Sequence, residues 1–403
     1  MKEAYIYDGI RTPFGRYGGV LSTVRPDDLL AAVINHIVTK NNIFPDHIED
    51  VIAGCSNQAG DDSRNIARNA SLLSGLPVSV AGITLNRLCG SGLAAVLDAT
   101  RTIKTSEATL LIASGVESMS RSPWVIGKAE NSYSRNQTMY DSTLGWRFPN
   151  QKLIGQYASD SNSDTADNIA RDLSISREDS DVFALASQRK YKDALEKGFI
   201  NDEIMSVEVP AVNKKADPVV MVTDEHPRSD TTLQKLATLK PISQNGVVTA
   251  GNASGINDGA AALIIGNKEA GEKLGLQPRA RVIGGAVVGV EPRVMGLGPV
   301  PATARILERT GLRLNDMDVI EINEAFASQV LGCLKQMQVA FDDERVNPNG
   351  GAIAIGHPLG ASGARLVLSA MRQLEASGGK YALVTMCIGI GQGIASIIER
   401  VSD

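Results

Sequence analysis

The chain has 403 residues, 43% of them hydrophobic and 21% charged, with a formal net charge of −5. That composition suits a globular protein whose core is large enough for two or three packed units. It excludes a global positive field for nucleic acid, a membrane span, because no apolar run is long enough, and a disulfide framework, because Cys55, Cys89, Cys333 and Cys387 are too sparse.

In chain order, Met1 to Tyr5 shows no signal-peptide core, so reduced thiols and a cytoplasmic location are expected. With few histidines and no Cys-x-x-Cys pair, a zinc site is not expected. Pro26 to Lys40 has helical apolar spacing, and Ile48 to Cys55 reads as a buried strand. Ala81 to Leu85 is strand-like, Ser91 to Asp98 opens a helix, and Ala108 to Gly115 is another buried strand. The order returns later: helix from Ala302 to Thr310, strand from Met317 to Asn323, helix from Ser362 to Ser369, strand from Tyr381 to Cys387. Such recurrence predicts two similar α/β halves. The first half is expected over 1–119 with 247–275, and the second over 276–403. Between them, 120–246 is polar, carries Trp124 and Trp146, and holds a helix-like stretch from Arg177 to Lys197. It reads as an excursion laid over the core, a common place for substrate contacts.

Three short motifs carry the chemistry. Leu88-Cys89-Gly90-Ser91-Gly92 stands between a strand and a helix. The helix dipole is expected to lower the thiol pKa, and the glycines let a carbonyl approach the backbone. The alternative is a small buried residue at a tight turn. Gly356-His357-Pro358-Leu359-Gly360 places a histidine on a loop that a ligand can approach, or else a structural loop histidine. His36, His47 and His226 read as ordinary surface or helix residues. Cys387-Ile388-Gly389-Ile390-Gly391-Gln392-Gly393 ends a strand. No helix follows, since Ile394 to Ile398 reads as a strand, so a dinucleotide site is disfavoured. The glycines can offer N–H groups to an oxyanion, or form a plain hairpin beside a buried cysteine. Asn323, in Glu321-Ile322-Asn323-Glu324-Ala325-Phe326, is either an amide for a water or carbonyl oxygen, or a helix cap. Thr249 to Gly259 lines a narrow channel or forms a turn. Two glycine-bedded thiols and a histidine are what carbon–carbon cleavage by a thiolate needs: one sulfur attacks a carbonyl while the other moves a proton at carbon.

In order and spacing these motifs resemble the thiolase family over nearly the whole chain. The resemblance implies two duplicated βαβαβαββ halves in five layers with an inserted loop domain. It implies a homodimer or homotetramer that takes acyl-CoA and coenzyme A as substrates and needs no metal or other cofactor. Neither nucleic acid nor membrane is an implied partner. By the same resemblance Cys89 is the acylated nucleophile and His357 the base that activates it. Cys387 is the acid/base, Asn323 holds the water of one oxyanion hole, and the N–H groups of Cys89 and Gly389 form the other. Ser254 and Ala250 resemble contacts to the pantetheine arm, and Arg228 a residue of the loop over the adenine nucleotide. Arg11 to Gly19, Val24 to Leu29, Cys55 to Asp62 and Gly145 to Phe148 are similar to 3-oxoadipyl-CoA thiolases of aromatic-compound catabolism. The pattern departs at Asn162-Ser163-Asp164-Thr165-Ala166-Asp167-Asn168, where members usually carry Met-Pro-Glu-Thr-Ala-Glu-Asn. Arg147 and Asn162 are candidates to face the carboxylate of a diacid. The expected reaction is cleavage of a 3-oxoacyl-CoA by coenzyme A through an acyl-Cys89 intermediate. The alternatives are a biosynthetic acetoacetyl-CoA thiolase and a catalytically silent acyl-CoA-binding protein.

Overall fold

The computed structural model describes residues 2–157, 159–211 and 217–401. Met1, Ser402 and Asp403, at the ends of the two expected halves, lie outside the described residues. Nine strands form the main path of one sheet: β1 (Tyr5–Arg11), β2 (Asp50–Gly54), β3 (Ala81–Leu85), β4 (Leu110–Ser118), β5 (Asn257–Gly266), β6 (Ala280–Gly289), β7 (Val319–Ile322), β8 (Tyr381–Ile388) and β9 (Gln392–Arg400). Their order is β7-β8-β9-β6-β1-β5-β4-β2-β3. The sequence repeat is visible in this order. In the first half β2 lies parallel to β3 and β4, and β5 antiparallel to β4 and β1. In the second, β7 lies parallel to β8, and β9 antiparallel to β8 and β6. Even β3 has a trace of a counterpart, a parallel bridge between Ile320 and Val346. The halves meet where Tyr5 pairs with Arg281 and Ile6 with Ala280.

The helices follow from the chain beneath them. α1 (Pro26–Lys40) starts with proline where no N–H is needed, has Asp27 and Asp28 in its first turn, and has Lys40 in its last. Its buried Leu29, Leu30, Val33, Ile34, Ile37 and Val38 recur at helical spacing. α2 (Ile66–Leu73) carries Leu72 and Leu73 on an exposed flank. α3 (Ser91–Lys104) is buried all round its first two turns, Leu93, Ala94, Ala95, Val96 and Leu97 included, and turns polar residues to solvent toward its C-terminal end, at Asp98 and Arg101. These two patterns distinguish an outer helix from an inner one.

The segment between the halves contributes α4 (Asn162–Leu173) and α5 (Arg177–Glu196), each opened by a serine capping box. Arg11 of β1 pins this segment, holding Asp224 through two bonds of 2.7 and 2.9 Å and Glu203 at 3.2 Å, with all three side chains buried. Removing one partner from such a buried group is destabilising by about 3–5 kcal/mol. Beyond it come α6 (Pro299–Thr310), α7 (Ala327–Gln336), α8 (Ala352–Ile355) and α9 (Leu359–Ser377).

Thirteen of the nineteen residues of α9 are buried, which makes it an internal layer beside α3. The two helices touch backbone to backbone. A Cβ on Gly92 would lie 2.5 Å from the Gly360 carbonyl oxygen and 2.9 Å from the Ala364 nitrogen. One on Gly363 would lie 2.9 Å from the Gly92 carbonyl carbon. β3 differs from its neighbours: it is a sheet edge with Ala81 and Ile83 exposed. None of the described helices is long and apolar enough to cross a membrane.

Candidate active site

Cys89 lies just ahead of α3, two residues before its first helical residue, Ser91. Leu88 takes φ +46° to make the turn, and Asn86 Oδ1 accepts from its N–H at 2.9 Å. Gly90 lies against the second half, where a Cβ would meet Ile388 Cδ1 at 2.7 Å. The sulfur is buried, and the N–H groups of Gly389 and of Cys89 itself point at it. These two donors favour thiolate, but burial wins and pushes the thiol up to about 11, with the charge of Glu117 acting the same way. The expected lowering by the helix therefore does not occur. Cys89 stands outside the first turn, and desolvation outweighs what dipole reaches it.

His357 follows Gly356 between α8 and α9 and is buried. The Ser362 hydroxyl donates to the Pro358 carbonyl at 2.9 Å, so it accepts from His357 Nδ1–H at 2.6 Å. Nε2 then carries the lone pair, and Asn323 Nδ2 donates to it at 3.3 Å. Burial first, and the positive charge of Arg365 second, push His357 down to about 3. A neutral imidazole and a neutral thiol thus face the same chemistry at rest. Asn323 does not cap a helix: α7 begins at Ala327 with Phe326 as its cap residue and no side-chain cap bond. Its Oδ1 is buried without a partner among the described residues.

Cys387 is the penultimate residue of β8 and packs with Met295, Ala325 and Phe326. Burial raises its thiol well above the usual range, and the neighbouring Cys89 and Cys333 push the same way. The β8–β9 hairpin then turns through Ile388 to Gln392, and Gly389 delivers its N–H to Cys89. Cys387 of the second half thus neighbours Cys89 of the first, and His357 and Asn323 form a hydrogen-bonded pair.

The thiolase N-terminal domain family matches residues 4–269, and the thiolase C-terminal domain family matches residues 276–400. The chain belongs to the thiolase family. It is 57% identical to the 3-oxoadipyl-CoA/3-oxo-5,6-dehydrosuberyl-CoA thiolase of Escherichia coli (strain K12), over all of both chains. It is 55% identical to a beta-ketoadipyl-CoA thiolase of Acinetobacter baylyi, again over all of both. Among solved structures, a Bacillus anthracis acetyl-CoA acetyltransferase superposes with a TM-score of 0.92 at 36% identity, covering 100% of this chain and 99% of the other. Human mitochondrial 3-ketoacyl-CoA thiolase in complex with CoA superposes with a TM-score of 0.91 at 38% identity, covering 100% and 98%. The fold is therefore the thiolase fold.

In this thiolase Ser254 is tied to the Cys387 wall, since its N–H donates to the Ala325 carbonyl at 3.0 Å and Ala253 bridges to Phe326. Ala250 is exposed, beside the Pro241–Thr249 bridge. The Arg228 side chain is exposed too, while its backbone N–H donates to Gln188 Oε1 at 2.9 Å. Arg147 turns into its own loop and donates to the Ser142 carbonyl at 2.8 Å. Asn162, at the start of α4, comes to the site: its Oδ1 lies 3.9 Å from where a Cβ on Gly389 would stand. Sequence reasoning missed Ser362 and Asn347. Asn347 accepts from the Ile322 N–H and donates to the Ile322 carbonyl, both at 2.9 Å, and so acts as a strand neighbour beneath Asn323. The only signal for it was its place in the asparagine–glycine run ahead of His357.

Proposed function

We propose that this thiolase cleaves 3-oxoadipyl-CoA with coenzyme A to acetyl-CoA and succinyl-CoA, through an acyl-Cys89 thioester. Full-length identity of 57% to a protein of that named activity supports the substrate. The observation that supports the chemistry is that Cys387 neighbours Cys89, whose sulfur the Gly389 and Cys89 N–H groups favour as thiolate, while the buried His357 imidazole is held between Ser362 and Asn323. As the sulfur attacks the 3-keto carbon, His357 Nε2 takes its proton. The alkoxide that forms draws on the Cys89 and Gly389 N–H groups. Collapse breaks the C2–C3 bond, leaving the acyl group on Cys89 and an acetyl-CoA enolate. Cys387, held protonated by burial, delivers its proton to the enolate carbon. Imidazolium and Asn323 stabilise the enolate oxygen. Coenzyme A then gives its thiol proton to Cys387 and attacks the acyl thioester; collapse breaks the acyl–Cys89 bond, releases succinyl-CoA, and lets the imidazolium return its proton to the Cys89 sulfur, so one hard step is split into two.

Ala250, Ser254 and Arg228 are proposed contacts of the coenzyme A moiety, and Asn162 of the far end of the acyl group. The division into 1–119 with 247–275, 120–246 and 276–403 is proposed on the topology of the halves. Homodimeric or homotetrameric assembly is supported by the exposed apolar residues Leu72, Leu73, Val78 and Ile83 along the β3 edge. A cytoplasmic setting is proposed on four free, buried cysteines. The test is coenzyme A-dependent cleavage of 3-oxoadipyl-CoA, 3-oxohexanoyl-CoA and acetoacetyl-CoA. Highest kcat/KM on the diacid is expected. Preference for the uncharged six-carbon substrate would overturn the diacid assignment, and preference for acetoacetyl-CoA would favour a biosynthetic role.

A further inference from the structure

The loop that carries His357 belongs to the second half, yet it is held at two points from the first. β4 and β5 are antiparallel neighbours, with Glu117 opposite Gly259. Asn257 lies two residues from Gly259, so Asn257 and Glu117 project from one face of the sheet. Asn257 Oδ1 accepts from the His357 N–H at 3.0 Å, and its Nδ2 donates to the Gly15 carbonyl at 2.9 Å. Glu117 Oε2 accepts from the Gly360 N–H at 2.9 Å. The same carboxylate takes the Ser56 N–H and hydroxyl at 3.0 and 2.8 Å and the Asn57 N–H at 3.0 Å. The Cys55 thiol is a fifth donor, to Oε1 at 3.9 Å, and Asp62 stands beside the group. Both side chains are fully buried. Glycine brings the loop flush against them. Gly356 has φ +99°, and a Cβ there would run into the Asn257 amide, while one on Gly360 would lie 2.6 Å from the Gly54 carbonyl oxygen.

We propose that Asn257 and Glu117 are positioning residues for the reaction. Neither touches substrate. From the first half they fix where the His357 imidazole stands, so base and nucleophile are both referenced to the strands beneath Cys89. This rests on the reading of His357 as the base. Releasing either grip lets the loop move, and a shift near 1 Å at a reacting group costs up to about 100-fold.

The experiment is rapid-quench acylation of Cys89 by 3-oxoadipyl-CoA, with kcat and KM, on Asn257→Ala, Asn257→Asp, Glu117→Gln and His357→Ala. Asn257→Ala and Glu117→Gln are expected to slow acylation about 10- to 100-fold while each KM stays within about twofold. Asn257→Asp keeps an acceptor for the His357 N–H and is expected to recover part of the loss. Should Asn257→Ala be insoluble, Glu117→Gln, which keeps the side-chain volume, carries the test. Native acylation in a folded clamp variant, or a loss confined to KM, would overturn the proposal. If His357→Ala itself acylates at the native rate, the base reading fails instead. If His357→Ala is dead while both clamp variants acylate normally, only the clamp fails.

Discussion

Ser362→Ala isolates the tautomer of His357. The hydroxyl makes two bonds, but only one matters. Pro358 O still accepts the N–H groups of Ala361 and Ser362, each at 3.0 Å, so its lost O–H bond is covered. His357 Nδ1–H is not covered, because the ring is buried and loses its 2.6 Å acceptor. An unpaired buried donor costs about 1–3 kcal/mol. The ring escapes that cost by moving the proton to Nε2, which removes the lone pair proposed to take the Cys89 proton. Either route raises the acylation barrier, and about 1.4–2.7 kcal/mol is a 10- to 100-fold slower step. Rapid-quench measurement of the acetyl-CoA burst reads this step directly, with substrate KM expected near native. A folded Ser362→Ala enzyme that acylates within about twofold of native would refute the assignment of the hydroxyl as acceptor, since the barrier change would be under about 0.5 kcal/mol.

Three further outcomes are expected. Alkylation of Cys89 by iodoacetamide in the free enzyme should rise about tenfold per pH unit between roughly pH 7 and 9, because the thiol stays protonated until about 11. A plateau across that range would show a resting thiolate–imidazolium pair. Cys387→Ala should still acylate Cys89, slowly, and should lose α-proton exchange of acetyl-CoA by about 10²-fold or more, measured by deuterium wash-out; undiminished exchange would remove Cys387 from the proton transfer. Gly360→Ala should lose about 3 kcal/mol or more of stability in denaturant titration, since its methyl would press on Gly54 and Cys55 backbone that no rotamer change can move; a native midpoint would contradict that contact.

How much of this was legible depended on how local the signal was. The helix over Pro26 to Lys40 has the bounds that its spacing and its proline predict, because both cues lie within one segment. The strand at Ala81 to Leu85 was also visible, but its place at the open edge was not, since neighbours decide which strand ends a sheet. Cys89, His357, Cys387 and Asn323 stood out because glycine and proline beside a reactive side chain are a poor way to fill a core. The state of the Cys89 thiol was misread. Its burial comes from Ile388 and the Gly389 turn, which lie about three hundred residues away in the chain. Arg147 and Asn162 looked equal as carboxylate partners, and only the folded chain shows Arg147 Nη1 bonded to the Ser142 carbonyl of its own loop while Asn162 reaches the Gly389 turn. Asn257 and Glu117 were silent because a side chain that grips a distant backbone leaves no periodic trace.

The contact of α3 with α9 has a consequence for how this chain can change. A duplicated protein normally lets its copies drift apart, each tolerating what the other does not. Here Gly92 of one copy and Gly363 of the other press backbone on backbone, with no room between them for a methyl group. A larger residue in either half must displace the other half's helix, and each of those helices begins within a few residues of a reactive side chain. The outer faces can diverge freely, while the two innermost helices must keep matching widths, like gears cut to one pitch.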